Sequence, residues 1–508
     1  MTDSELSAGG GPPAPPDLAQ RGARADLRTA AMIFVIGLIA YAVSAWDRLA
    51  APSPHFHFVD LAASFLDGRL DTDTPRRDPR QKGALPEGAR PGYEKALTRH
   101  ALHADGSFRG WNDWASVRTL TLKSGEVLTG VFPWRDQGGE KAKEFHALNG
   151  QLYRIDCGRD VRSGCHGNKA GEHTWFVSFP PWPSVLLMPV VAALGYNTND
   201  VWFTLLFAAA NGALLYLLLD LLSRTGRSPR SRRDNLWLTA LFLFGTVHWF
   251  SAIRGEVWFT GLIVGVTMNL LALLGTVTMR RPWLGGLLLG LGFATRTPLL
   301  FGCVLPLVLE LPVWRDRSAI ARSLGRLVQY AVPLAAVLAV LMVYNAKRFG
   351  SPFEFGHTFI QEGMRPAIRD HGLFSGWFLP QNLSAAFTNP PVITFESWPF
   401  LRITRHGLGL LWTTPLLFLI FGSTNKTPLF WGLVAATAAV AVPGFFYQNT
   451  GWEQFGYRFG LDWLPMLIAA FAVGGRPLTR GALALLLFGV LMNAVGAASF
   501  GRYPPLYY

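Results

Sequence analysis

Charged side chains are scarce in this chain. They make up 16% of its 508 residues, against ~25% in soluble domains, and the shortfall excludes an ordinary water-soluble globule. Acidic residues are the scarcer sign: 33 Asp and Glu stand against 46 Lys and Arg, for a net charge of +13. On a soluble protein that excess would point to nucleic acid. Here the arginines fall in short connections between apolar runs, where they set membrane orientation, so no nucleic-acid partner is expected. Cysteine is nearly missing, with three residues in all, which excludes a scaffold built on disulfides. No His/Cys pattern has zinc spacing; only His166 stands beside Cys165. No repeat of fixed period and no repeated halves are visible, which speaks against a transporter assembled from two related halves.

What is present is hydrophobic length. Half of the residues are hydrophobic, and apolar runs of about 17–22 residues recur from Leu27 to Phe500, as crossing a ~30 Å hydrocarbon layer requires. The expectation is an all-α polytopic membrane protein of about eleven transmembrane helices, with a large outer loop that holds interfacial helices and a small β-element. Residues 1–26, rich in Gly and Pro, read as a disordered cytoplasmic tail. Residues 27–46 form the first span, too long for the core of a cleaved signal despite Val43-Ser44-Ala45. Residues 47–200 make the extracytoplasmic loop, 201–500 the main helical domain and 501–508 an outer tail.

Arginine placement sets the topology. Arg21, Arg24 and Arg28 before the first span put the N-terminus inside. Trp182–Gly195 is too short to cross and reads as an interfacial helix. The Arg224–Arg233 loop is then cytoplasmic. Further spans are Val201–Leu222, Leu236–Ile253, Trp258–Met279, Tyr330–Asn345, Gly407–Phe421, Leu429–Tyr447, Tyr457–Val473 and Ala482–Phe500. Trp283–Trp314 is too long for one span and divides into two at Thr295-Arg296-Thr297-Pro298. This arrangement gathers Asp60, Asp113, Arg254, Glu256, Arg296, Arg348, Glu354, Arg402, Arg405, Glu453, Arg458 and Asp462 near the outer face.

Several of these are candidate site residues. Asp60 lies on Phe58–Leu66, which reads as an amphipathic helix on the membrane surface. Its carboxylate is either a base facing a cavity at the lipid boundary or a solvated face. Asp113, in Trp111-Asn112-Asp113-Trp114, either assists such a base or caps a helix start. Asp71-Thr72-Asp73 has the spacing that some sugar transferases use for a divalent metal, though its setting is that of a charged, solvated loop. Arg296, at a break between two short helices, joins a guanidinium to a helix N-terminus in an anion site. Arg458 and Asp462 are one helical turn apart and pair on one face; alternatively Arg458 reaches a phosphate while Asp462 supports it. Arg254 and Glu256 flank Gly255 in the same manner. His248 and His406 are structural. Hairpins are expected around Ser124-Gly125 and Asn149-Gly150, with a disulfide between Cys157 and Cys165 in an oxidising compartment. Cys303, in an apolar span, is an inert small hydrophobe.

Five segments together resemble the GT-C class of polytopic glycosyltransferases, in the bacterial branch similar to the dolichyl-phosphate-mannose and aminoarabinose transferases. They are Phe58–Leu70, Phe179-Pro180-Pro181-Trp182-Pro183, Gly290-Leu291-Gly292-Phe293-Ala294-Thr295-Arg296, Tyr344–Pro352 and Phe455-Gly456-Tyr457-Arg458. The resemblance covers residues 29 to 475. It implies a polyprenyl-phosphate-linked sugar donor, a glycan, lipid or protein acceptor, and a site facing outward from a bacterial inner membrane. It maps the catalytic acid onto Asp60 and a second loop acid onto Asp113; Val59-Asp60-Leu61 stands where the family carries an Asp-Glu pair. Arg296, Arg458, Arg254 and Arg348 would contact the lipid phosphate, with Asp462 and Glu256 in support. A divalent cation is optional. Two other functions fit a chain of this kind: a transporter or flippase for a lipid-linked or anionic substrate, and a non-catalytic membrane scaffold.

Overall fold

The computed structural model describes residues 16–53, 55–72, 114–135, 138–162, 165, 173–360, 366–396 and 398–508. Among them, seven helices are long and apolar enough to cross a membrane: Asp26–Ser44, Asp200–Arg224, Val257–Thr276, Thr297–Trp314, Arg317–Phe349, Pro428–Phe446 and Arg480–Ser499. The chain is a mostly helical membrane protein with a small sheet. Val257–Thr276 is central, with 83% of its apolar window buried, whereas Arg317–Phe349 is peripheral, at 17%. Arg317–Phe349 packs on Pro282–Phe293 along a line of small residues, the usual device for close helix approach in lipid. A Cβ on Gly286 would collide with the Tyr330 carbonyl.

Four of the expected crossings are short or interrupted. Leu236–Ile253 divides into Arg232–Phe244 and His248–Ala252. Pro282–Phe293 ends before Arg296, as the Thr-Arg-Thr-Pro sequence requires. Gly407–Phe421 contains one α-turn, Leu410–Thr413, and a 3-10 run from Pro415 to Gly422. Tyr457–Val473 starts as a 3-10 turn, Arg458–Asp462, before Leu464–Val473 becomes α-helical. Interrupted backbone at membrane depth leaves carbonyls that lipid cannot satisfy. Buried side chains satisfy them here. Thr414 Oγ1 donates to Gly245 O at 2.9 Å, Asn493 Nδ2 to Thr413 O at 2.8 Å, and Asn269 Nδ2 to Asp462 O at 2.8 Å.

At the N-terminus the helix begins at Pro16, inside the segment expected to be a disordered tail. Proline suits a first helical turn, and the helix formers after it carry the helix on to Ser44. Residues 1–15 lie outside the described residues.

Beyond the membrane body lies a five-stranded antiparallel sheet in the order β4-β3-β2-β1-β5. Its strands are β1 Trp114–Thr121, β2 Val127–Val131, β3 Glu144–Ala147, β4 Leu152–Arg154 and β5 His173–Val177. Both expected hairpins form, β1–β2 with Thr121 opposite Val127 and β3–β4 with His146 opposite Leu152. Cys157 and Cys165 are disulfide-bonded, their Cα atoms 5.1 Å apart. Trp114 opens a strand, not a helix, so the helix-capping role considered for Asp113 has no helix to cap; Asp113 itself lies outside the described residues.

The helix His57–Leu66 does not lie on a surface. His57, Phe58, Val59, Asp60, Leu61, Ala62 and Ser64 are all buried, because Trp182–Leu194 covers it on one side and Trp114, Trp175 and Val177 of the sheet join the same core.

Candidate functional site

The breaks in the helices converge. Three stretches that leave regular helix, Arg254–Glu256, Thr295–Pro298 and Tyr457–Asp462, meet the C-terminal segment Gly501–Tyr508 around a cavity of about 1230 Å³. Part of its lining is polar and aromatic. The remainder is apolar: Leu338, Leu341 and Met342 from Arg317–Phe349, Leu300 and Phe301 from the 3-10 run after Arg296, and Val440, Ala441 and Pro443 from Pro428–Phe446. Two of these three contributors belong to the least buried helices of the molecule, so the apolar lining lies next to lipid-facing surface.

The polar part is organised by arginines and rings. Arg254 Cζ lies 5.1 Å from the Phe259 ring centre, and Arg458 lies at the same distance from the same ring. Arg458 is 5.8 Å from the Phe459 ring and Arg296 is 5.4 Å from it. Two phenylalanines therefore separate three guanidinium groups in the series Arg254, Phe259, Arg458, Phe459, Arg296. Each ring offers a π face to two cations and lessens the cost of bringing like charges together.

Two of these arginines are held by carboxylates. Arg296 makes a two-point contact with Asp462, Nε to Oδ1 at 3.0 Å and Nη2 to Oδ2 at 2.7 Å. Arg254 makes another with Glu256, Nε to Oε2 at 2.9 Å and Nη2 to Oε1. Forked pairs of this kind fix the guanidinium plane. Burial works to raise the Glu256 carboxyl, but Arg254 and Arg48 outweigh it and hold the group down at about 2. Burial and the neighbouring Arg254 push Arg48 down to about 9. Among the described residues, no acceptor reaches Arg254 Nη1, which is buried. It packs against Gly501, where a Cβ would stand 2.8 Å away and where φ is +71°, so glycine both permits the turn and allows this close approach.

Imidazoles and phenols complete the lining. His55, beside Trp258 with ring centres 4.4 Å apart, is pushed down by burial to about 4 and is neutral at physiological pH. Burial also lowers His357, whose Nε2 is 3.5 Å from the Tyr447 hydroxyl. Tyr507 and Tyr508 are raised, mainly by burial, and stay protonated. Tyr447, Tyr457, Tyr507 and Tyr508 were not singled out from the sequence. Aromatic residues just outside apolar runs are ordinary interfacial anchors, and nothing local distinguishes these four.

The structure brings together Arg254, Glu256, Arg296, Arg458 and Asp462, all on the cavity wall. Among the described residues, Asp60, Arg348 and Asp71 are not brought there. Asp60 is fully buried, accepts a hydrogen bond from the Tyr196 hydroxyl at 2.7 Å, and is not among the cavity-lining residues. Arg348 is buried as well: its guanidinium donates to Val177 O and Asn345 Oδ1, both at 2.8 Å, and stacks 3.8 Å over the Tyr344 ring. It ties the end of a membrane helix to β5 and is not among the cavity-lining residues. Asp71 pairs with Arg69 at 2.5 Å; Asp73 lies outside the described residues. Among the described residues, no group of three or more His, Cys, Asp or Glu could hold a metal ion.

Compared with protein-family models, with curated proteins and with solved structures, the chain matches none.

Proposed function

We propose that the protein is a membrane glycosyltransferase of the GT-C kind, which moves a sugar from a polyprenyl-phosphate donor to an acceptor hydroxyl, with inversion at the anomeric carbon. The observation that carries this reading is one cavity that joins an apolar lining beside lipid-facing helices to a series of three arginines. A lipid-linked anionic substrate needs both. Its prenyl chain would lie along Leu338, Met342 and Pro443, and its phosphate among Arg254, Arg458 and Arg296. As the sugar–phosphate bond breaks, negative charge grows on that phosphate, and fixed guanidinium groups stabilise it without reorganising.

Orientation supports an extracytoplasmic site. Glu256 begins a helix whose far end is followed by Arg280 and Arg281, and Asp200 begins one that ends at Arg224. The arginine-rich ends face the cytoplasm, so the cavity faces outward, here across a bacterial inner membrane crossed wholly or partly about eleven times. The acceptor, a glycan, a lipid or a protein of the cell envelope, would enter from outside.

The test is mass spectrometry of lipid carried through purification, followed by turnover in vesicles. A polyprenyl monophosphate bearing one sugar, cleaved to free polyprenyl phosphate on adding acceptor, is the expected result. Recovery of intact donor on the opposite leaflet, with no bond broken, would replace transferase by flippase.

A further inference from the structure

We infer that Glu453 is the carboxylate that takes the acceptor's proton, an assignment that rests on the transferase reading above. Among the described residues three carboxylates line the cavity, Glu256, Asp462 and Glu453. The first two are each engaged at both oxygens by an arginine. A carboxylate bound in that way is poorly disposed to accept a proton, because its lone pairs are committed to the pair. Glu453 differs. Its side chain is 56% exposed, and its ion-pair contact is a single long one, Oε1 to Arg405 Nη1 at 3.9 Å.

The backbone is built to present this side chain. Trp452 and Glu453 are consecutive non-glycine residues in left-handed conformation, with φ of +39° and +49°. L-residues adopt that region at a cost, and they persist there when their surroundings enforce it, often at working sites. The enforcing group is Gln454, which is fully buried. Its Nε2 donates to His406 O and Thr450 O, both at 2.8 Å, and its Oε1 accepts from Arg458 N at 3.0 Å. One amide side chain thus fixes both the Glu453 elbow and the backbone of the central arginine in the series. Arg405, stacked 5.4 Å over each of the Trp452 and Tyr508 rings, positions Glu453 from the outer side. The acceptor enters between them.

The step balances with these groups. The acceptor hydroxyl gives its proton to a Glu453 oxygen, and its own oxygen bonds to the anomeric carbon. The bond from that carbon to the phosphate oxygen breaks, and its electron pair leaves on the phosphate beside Arg458. No oxidant, reductant or co-reactant is needed.

The experiment uses the full chain in vesicles with a panel of polyprenyl-phosphate hexoses and pentoses as donors and a cell-envelope extract of glycan, lipid and protein as acceptor, reading liberated polyprenyl phosphate and, separately, donor retained by the protein. Glu453→Gln should lower turnover ~10²–10⁴-fold, the usual worth of general base catalysis, with donor retention within about twofold of wild type because no phosphate contact is removed. Glu453→Asp keeps the base but shortens its reach, and should fall roughly 10²-fold; it also serves if the Gln variant does not fold. Normal turnover in Glu453→Gln beside an active wild type overturns the assignment and leaves the transferase reading standing. Equal losses of retention and turnover in Glu453→Gln would make Glu453 a shape-giving residue and overturn the assignment too. A wild type that cleaves no donor in the panel sinks both.

Discussion

Asp60 and Asp462 are both almost inaccessible acids in the same membrane protein, yet the two regions that hold them work in opposite ways. Asp60 sits in a closed packet of three elements, among Phe56, Phe58, Trp114 and Leu187, with the Tyr196 hydroxyl as a neutral donor. Asp462 sits on an open cavity, where its partner is a cation and the cation's neighbours are a ring and a second arginine. A charge at depth demands a reason, but depth alone does not say which reason. In the closed packet the acid ties its helix to the turn that follows Trp182–Leu194. In the open one a charge pair lies on the cavity wall.

Breaking that contrast should cost most at the Arg296–Asp462 pair. Removing one partner of a buried ion pair strands the other, at ~3–5 kcal/mol. Arg296→Met and Asp462→Leu should each lower the midpoint of thermal unfolding in detergent. The double variant should recover most of the loss while donor retention stays impaired. If the double variant is as unstable as either single one, the pair is not what holds the broken helix to the 3-10 turn.

The closed packet should respond less, and only in stability. Tyr196→Phe removes the donor to a buried carboxylate, which is worth ~1.5–3 kcal/mol. It should shift thermal unfolding and leave polyprenyl-phosphate turnover unchanged. A turnover defect without a stability defect would move Asp60 back among the reacting groups.

Within the cavity, Arg254→Lys keeps the charge and loses the fork. One ammonium cannot serve both Glu256 oxygens and a phosphate, so donor retention should weaken by roughly tenfold, about 1.4 kcal/mol. Increasing salt should widen this gap little, since partly buried groups are poorly screened.

The smallest effect is expected in the outer lobe, where Asp156 caps the helical turn Cys157–Asp160. The Arg159 and Gly158 amides, with Lys143, hold its carboxyl below the usual carboxylate value. A depressed acid adds stability above its unfolded pKa of ~3.9 and loses it as pH falls through the folded value. Asp156→Ala should therefore speed amide exchange at residues 158–160 near neutral pH, and the difference from wild type should shrink as the solution is acidified. A pH-independent difference would mean that the cap acts through shape alone.

How much of this was legible along the chain depends on distance in sequence. The helix break at Arg296 was, because Pro298 denies a hydrogen bond and clashes with the turn before it. The two hairpins were, through Ser124-Gly125 and Asn149-Gly150, whose glycines take φ of +95° and +83°. The Arg254–Glu256 pair spans two residues and was also visible. Asp462 was misassigned. A regular α-helix would set it beside Arg458, four residues earlier, but the segment is a 3-10 turn. At three residues per turn, positions i and i+4 no longer share a face. Asp462 is thereby released to Arg296, 166 residues away. The His57–Leu66 helix was misjudged for a related reason: its own pattern is amphipathic, and only the arrival of Trp182–Leu194 and the sheet shows that its polar face is covered too.

The sequence by itself therefore determined that the chain belongs in a membrane, where its helices break and where its hairpins turn. Those properties follow from hydropathy and backbone preferences acting over a few residues. Tertiary structure decided which acid meets which arginine, that two phenylalanines space three guanidinium groups, and that Glu453 rather than Asp60 looks into the cavity. Those outcomes depend on which surfaces meet when distant segments pack, and no short stretch of chain carries that information.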